Sequence, residues 1–139
     1  MIFKLIGGAA LWAALCGSVA AADFTFGAFG DTPYAWIEEA LFHDFLAGMN
    51  QEDLPFVVHV GDFKSAMAPC SDELFRQRRE WFDLVRHPFV FVPGDNEWTD
   101  CRGFQAGGYD PLERLAKLRE LFSRGEESLG QLRIRLARQ

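Results

Sequence analysis

Three short apolar runs, each followed by a Gly-Asp pair, dominate the hydrophobic pattern of this chain. The runs occupy residues 24–29, 56–60 and 89–92. Their nearly continuous apolar character predicts strands buried on both faces. The aspartates that follow, spaced by 31 and 33 residues, are Asp31, Asp62 and Asp95. This spacing matches successive strand–helix units, so the pattern predicts a parallel α/β sheet with all three carboxylates at its carboxyl edge.

Helical spacing of apolar residues fills the stretches between these runs. Thr32 and Pro33 favour a helix start, and the apolar periodicity continues as far as Gly48. Ser71 is placed to cap a second helix that runs to about Arg86. The sequence therefore predicts the order strand, helix, strand, helix, strand.

A long loop and a third helix follow the last run. The loop spans residues 93–109, and Asp110 with Pro111 then forms a helix-capping signal. Apolar and basic residues alternate over residues 132–136, which suits a short strand. Buried parallel strands need cover on both faces. We therefore expect the chain to be the N-terminal part of a larger domain.

The first 22 residues have the character of an export signal. Lys4 precedes an apolar run over residues 5–15, and the segment ends in small residues with Ala20 and Ala22 at the cleavage pattern. We expect cleavage before Asp23, a periplasmic or secreted location, and no stable membrane anchor afterwards. The mature domain would then span residues 23–139.

Export changes the interpretation of the cysteines. Without the leader, two of the three cysteines remain, Cys70 and Cys101. They lie eight residues after Asp62 and six after Asp95, in neighbouring loops of the predicted sheet. An oxidising compartment favours a disulfide between them. The alternative is a pair of buried, unpaired thiols.

The net charge of the chain argues against one class of partner. It is −6, and loss of Lys4 with the leader makes it −7. General nucleic-acid binders normally present a basic face. We therefore expect that nucleic acid is not a partner of this protein.

Three carboxylates at one sheet edge repel each other unless a cation lies between them, so the pattern predicts a divalent-cation site. His59 sits inside a buried strand and is expected to be a core residue, and Lys64 is expected to be solvated. Tyr34 and Trp98 flank the predicted crevice, where packing is the simpler interpretation.

Several segments together resemble a known family. GDTPY, FVVHVGDFKS, PCSD, HPFVFVPGDNEWTDC and GGYDPLERL are similar to motifs of an exported bacterial branch of the calcineurin-like metallophosphoesterases. The resemblance covers about residues 24–124. It implies a four-layer α/β/β/α sandwich, of which this chain would be the βαβαβα half, truncated at its C-terminus. It also implies two divalent ions, from Mn, Fe and Zn, that activate water for hydrolysis of a phosphomonoester or phosphodiester.

The resemblance assigns roles to five residues. Asp31 would bind the first metal and Asp62 would bridge both metals. Asp95 falls where the family has an asparagine ligand of the second metal. Asn96 takes the place of the catalytic histidine and would contact phosphate, and Glu97 would support the ligands without binding metal.

Departures from the family pattern keep other interpretations open. Pro33 and Asn96 occupy positions where the family has histidines, and the family's C-terminal histidine motifs are missing. Since asparagine cannot transfer a proton at neutral pH, the alternative is a truncated or degenerate chain that at most binds a cation. Asp31 could instead cap a helix, and Asp95 and Asn96 could form a turn. A receiver-like module ranks third, because no second acid adjoins Asp31.

Overall fold

The computed structural model describes residues 23–137. The predicted export signal, residues 1–22, lies outside them. Over the described residues the chain forms a three-stranded sheet and three α-helices. The elements, in chain order, are β1 (Gly27–Phe29), α1 (Trp36–Met49), β2 (Val57–His59), α2 (Asp72–Phe82), β3 (Phe89–Phe91), a short 3₁₀-helix (Asp100–Arg102) and α3 (Pro111–Phe122). None of the helices in this range is long and apolar enough to span a bilayer.

The sheet is parallel throughout, as the Gly-Asp spacing predicts. Its strand order is β1-β2-β3. The register places Phe29 beside His59 and His59 beside Phe91. The chain is therefore a small α/β protein, and the carboxyl ends of all three strands lie at one edge.

All three helices pack on the same face of this sheet. Phe42 of α1 contacts Phe29, with ring centroids 6.2 Å apart. Phe82 of α2 lies 4.7 Å from Phe89, and Phe122 of α3 lies 4.7 Å from Phe91. The core of the protein is this aromatic layer between the sheet and the helices.

The opposite face of the sheet is largely uncovered over the described residues. Ala28, Val58 and Val90 share one register on that face. Val60 and Val92 lie two residues beyond Val58 and Val90 and therefore on the same face. They are 55 and 49% exposed. This arrangement agrees with the expectation that the chain leaves one face of its sheet uncovered.

Helix capping was predicted well where the signal is local. The Ser71 hydroxyl accepts a hydrogen bond from the Leu74 N–H at 3.2 Å. Asp110 accepts one from the Glu113 N–H at 2.9 Å. The start of α1 at Thr32 and Pro33 is wrong, however. The helix begins at Trp36 because Glu38 accepts the Tyr34 backbone N–H and so fixes the entry one turn later.

Two further boundaries differ from the prediction. Helix α2 ends at Phe82, not near Arg86, and Asp83 follows it as the C-cap. The alternating residues 132–136 form no continuous strand. They contribute one isolated bridge, between Arg135 and Glu127, and a second bridge joins Leu129 to Phe89. Two backbone hydrogen bonds flank the first of these bridges, from the Ser128 N–H to the Ile134 carbonyl and from the Leu136 N–H to the Glu126 carbonyl.

Truncation of Phe82 tests the aromatic core. Phe82 is fully buried, so Phe82→Ala leaves a cavity, and we expect a loss of about 3–5 kcal/mol in the free energy of unfolding. Phe104 is 97% exposed, so the matched variant Phe104→Ala should change it by less than about 0.5 kcal/mol. Urea unfolding with the disulfide intact measures both. Equal effects of the two variants would contradict this description of the core.

Candidate functional site

The loops after the three strands meet at the carboxyl edge of the sheet. The Asp31 N–H donates to the Gly61 carbonyl at 3.1 Å. The Asn96 N–H donates to Asp62 Oδ1, also at 3.1 Å. The first bond joins the loops after β1 and β2, and the second joins those after β2 and β3. Of the polar residues that the sequence placed at this edge, Asp31, Asp62 and Asn96 are therefore brought together.

Both Asp31 and Asp62 have left-handed backbone conformations. Their φ angles are +56° and +61°, and no other described residue except glycine has a positive φ. An L-residue pays about 1–2 kcal/mol for this conformation. Strain of this kind concentrates at functional sites. Asp31 is also separated from α1 by four residues, so it does not act as the cap of that helix.

Glycines allow the loops after β2 and β3 to touch. A Cβ atom on Gly61 would lie 2.1 Å from the Gly94 nitrogen. A Cβ atom on Gly94 would lie 2.1 Å from Asp62 Oδ1. Only glycine fits at either position, and the Asp62 carboxylate rests directly on the backbone of the next loop.

Tyr34 connects the first loop to the third. Its hydroxyl donates to Asp31 Oδ1 at 3.1 Å and accepts from Asn96 Nδ2 at 3.3 Å. Burial, followed by the hydrogen bond to Asp31, raises the pKa of Tyr34, so the phenol stays protonated and donates. Hydrogen bonds thus run from Asp31 through Tyr34 and Asn96 to Asp62. We call these four residues the carboxylate network.

Glu97 lies beneath this network. It is fully buried, and its Oε1 accepts from the Asp62 N–H at 2.6 Å and the Phe63 N–H at 3.3 Å. Its Oε2 has no hydrogen-bond partner among the described residues. Burial, and secondarily the adjacent Asp62 carboxylate, raises the pKa of Glu97 to about 7. Glu97 therefore holds the backbone of Asp62 in place from below.

Lys64 is buried, so the expectation of a solvated lysine is wrong. Lys64 is only 1% exposed, and its ammonium donates a hydrogen bond to the Ser65 carbonyl at 3.0 Å. Burial lowers the pKa of Lys64, while the carboxylates of Glu97, Asp100 and Asp62 act in the opposite direction. The acids of the site therefore have a positive counter-charge within the fold.

His59 is a core residue, as expected. It is fully buried, with ring centroids 4.8 Å from Phe29 and 4.9 Å from Phe82. Its Nδ1 accepts the Gly61 N–H at 3.0 Å, so the proton of the neutral ring is on Nε2. Burial lowers the pKa of His59 to about 4. His59 therefore shapes the loop after β2 and stays neutral at pH 7.

Cys70 and Cys101 form the expected disulfide, with their Cα atoms 5.7 Å apart. Both sulfur atoms lie 3.7 Å from the Asn96 carbonyl oxygen. Arg114 of α3 donates to the Cys70 carbonyl at 2.9 Å. The disulfide thus supports the backbone of the third loop behind Asn96.

Asp95 contributes less to the site than the other two aspartates. It is exposed, and its backbone carbonyl accepts from Trp98 at 3.2 Å and Asp100 at 3.1 Å. Within residues 23–137, no three or more His, Cys, Asp and Glu side chains are grouped as metal ligands. The carboxylates of Asp31, Asp62 and Asp95 are possible oxygen ligands at this edge, but the three are not grouped around one point.

No family model, curated protein or solved structure matches this chain. The resemblance to the metallophosphoesterases therefore depends on the sequence motifs.

The sequence placed Tyr34 at the predicted crevice and Lys64 just after Asp62, but it favoured simple packing for Tyr34 and solvation for Lys64. Tyr34 lies three residues after Asp31, within the GDTPY motif, and Lys64 lies two after Asp62. Proximity to the aspartates was the available signal. The contacts themselves depend on how the loops cross.

Substitution at Gly94 tests the contact between the loops. In Gly94→Ala the new methyl group collides with the Asp62 carboxylate, and we expect a loss of about 1–3 kcal/mol in the free energy of unfolding. Gly48 has no atom within 4 Å of its Cβ position and lies in α1. Gly48→Ala should therefore be neutral or stabilising by up to about 1 kcal/mol. Denaturant unfolding of both variants decides the point, and equal stabilities would contradict it.

The pKa of Glu97 predicts a pH effect that can be isolated from that of His59. Because the folded-state pKa of Glu97 is raised from about 4.5 to about 7, its contribution to stability is present below pH 4.5 and is lost as the pH rises to 7. His59, with its pKa lowered to about 4, has the opposite trend between pH 4 and 6.5. The comparison of wild type with Glu97→Gln cancels the His59 contribution.

We expect the unfolding free energy of wild type, minus that of Glu97→Gln, to fall by about 3 kcal/mol between pH 4.5 and 7.5. Urea unfolding at several pH values, with a chelator present, gives this difference. Asp62 and Lys64, the charged neighbours of Glu97, are unchanged in the variant. A difference that stays constant with pH would show that the pKa of Glu97 is not raised.

Proposed function

We propose that this protein is an exported, divalent-cation-dependent phosphoester hydrolase whose site is the carboxylate network. The observation that carries the proposal is the pair Asp31 and Asp62, which follow adjacent parallel strands, share a left-handed conformation and connect through Tyr34 and Asn96. In open parallel sheets, ligands bind in the crevice at this edge. The similarity of the motifs to those of metallophosphoesterases supports the same reaction.

Asp31 and Asp62 would hold the cation, with Asp95 available at the rim. Carboxylate oxygens suit divalent ions such as Mn²⁺, Fe²⁺ and Zn²⁺. When bound, such an ion polarises phosphoryl oxygens and activates water for attack on phosphorus. Asp31 and Asp62 would supply only part of the coordination sphere of the ion. Among the described residues, no group of three or more His, Cys, Asp or Glu side chains is placed to complete it.

The other residues of the network would orient the substrate. Asn96 uses one N–H of its amide on Tyr34 and has a second N–H for a phosphoryl oxygen. As an amide it stabilises charge without transferring a proton. Glu97 would fix Asp62 from below, since its Oε1 accepts the Asp62 N–H.

The fold would correspond to the first half of the α/β/β/α sandwich. In that arrangement the second sheet would pack on the face of the sheet that is uncovered over the described residues.

A second candidate function is a non-catalytic chain that binds a divalent cation. Pro33 and Asn96 stand where the resembling family has histidines, and the described residues lack a closed ligand group. This candidate predicts bound metal without turnover. The disulfide suits an oxidising compartment under either function.

The substitution Asp62→Asn tests both candidates. Asparagine tolerates the left-handed backbone of residue 62, so the variant removes charge with little change in conformation. We expect Mn²⁺-dependent hydrolysis of 4-nitrophenyl phosphate or of bis(4-nitrophenyl) phosphate by the full chain. The rate should fall by about a hundredfold or more in the variant, with loss of bound metal by elemental analysis. Asp53→Asn, in an exposed loop, is the matched control.

Other results have definite meanings. Metal that binds to wild type but not to Asp62→Asn, without turnover of either ester, would favour the non-catalytic candidate. Metal content and activity that are unchanged in Asp62→Asn would show that the site is wrongly assigned.

A further inference from the structure

A cavity of about 340 Å³ opens beside the carboxylate network, between the start of α1, the first turns of α2 and the loop after β2. Its walls include Pro33, Tyr34, Lys64, Ala68, Pro69 and Leu74. The volume lies within the range of small-molecule sites, which are mostly apolar with a few placed polar groups.

Two wall residues connect this cavity to the proposed hydrolytic site. Tyr34 lines the cavity, and its hydroxyl contacts Asp31 and Asn96. Lys64 lines the cavity and interacts electrostatically with Glu97 and Asp62. A ligand in the cavity would therefore lie next to the groups assigned to the phosphoester.

The polar part of the wall contains two cations, Lys64 and Arg78, and two carboxylates, Glu39 and Glu73, with Ser71 and Gln77 between them in the chain. Arg78 donates to the Phe63 carbonyl at 3.0 Å and to Gln77 at 2.7 Å, and it pairs with Glu39. These contacts engage three of its five N–H groups, and the guanidinium also lies over the Trp81 ring, 4.2 Å from the ring centroid. The buried Lys64 ammonium makes one hydrogen bond, to the Ser65 carbonyl, so two of its N–H groups have no acceptor among the described residues. Of the two cations, Lys64 is the one that also interacts with Asp62 and Glu97, so it connects the cavity wall to the proposed site.

We propose that this cavity binds the organic group of an aromatic phosphoester, with Lys64 contacting a phosphoryl oxygen at the network end. This inference rests on the proposed function and names its substrate class. The rings of Pro33, Tyr34 and Pro69, together with Leu74, provide an apolar surface against which a planar ring can pack. Phosphate alone would leave that surface uncovered.

Two non-hydrolysable phosphonates that differ in their organic group test the proposal without depending on catalysis. Phenylphosphonate and methylphosphonate are titrated into the full chain with Mn²⁺ present, and binding is measured by calorimetry. We expect phenylphosphonate to bind at least tenfold more tightly, since burial of a ring adds apolar contact that a methyl group lacks. Equal affinities, or no binding of either probe, would overturn the proposal.

Variants then locate the binding. Ala68→Phe fills the cavity and should reduce the phenyl preference to about twofold or less. Leu74→Trp fills it from α2 and gives the same test if the first variant does not fold. Ala116→Phe, on the exposed part of α3, should keep the preference. A preference retained in both cavity variants would place the ring elsewhere and overturn the proposal.

Failure of the inference and failure of the proposed function give different results. A phenyl preference that both cavity variants abolish, without hydrolysis of any ester, would support the cavity and reject the hydrolase. Hydrolysis of phenyl phosphate with a kcat/KM that is unchanged in both Ala68→Phe and Leu74→Trp would support the hydrolase and reject the aromatic cavity.

Discussion

The close approach of the loops after β2 and β3 is the constraint on which the rest of the site depends. Gly61 and Gly94 leave no space for a side chain between the two backbones. The Asp62 carboxylate can therefore accept the Asn96 N–H, while Glu97 accepts the Asp62 N–H from below. These reciprocal bonds join neighbouring loops that would otherwise be free to separate. The disulfide behind Asn96 acts on the same segment.

Gathering carboxylates at one edge has an electrostatic cost, and the fold offsets it in several ways. Backbone N–H groups and the Tyr34 hydroxyl donate to Asp62, Glu97 and Asp31. The buried ammonium of Lys64 supplies positive charge close to Asp62 and Glu97. Burial also raises the pKa of Glu97 to about 7, so this acid carries less than a full charge near neutrality. A bound cation would reduce the repulsion further, which is the physical basis of the proposed site.

Elements whose signal is local could be predicted from the sequence. The strands, the caps at Ser71 and Asp110, and the core position of His59 follow from apolar runs and side chains that act within a few residues. The start of α1 was misplaced because Thr32 and Pro33 carry a capping signal that competes with the bond from the Tyr34 N–H to Glu38. The strand over residues 132–136 failed because alternation alone supplies no partner, and pairing there is limited to isolated bridges.

By itself, the sequence determined that three strand ends carry Asp31, Asp62 and Asp95, because strand periodicity and Gly-Asp turns are properties of short segments. It also indicated the pairing of Cys70 with Cys101, through their number and expected compartment. Only the tertiary structure decided which side chains meet. Tyr34 bridges Asp31 and Asn96, Lys64 is buried beside the acids, and Asp95 faces outward. These outcomes depend on the path of loops packed across strands some 30 residues apart in the chain, and no local pattern encodes that path.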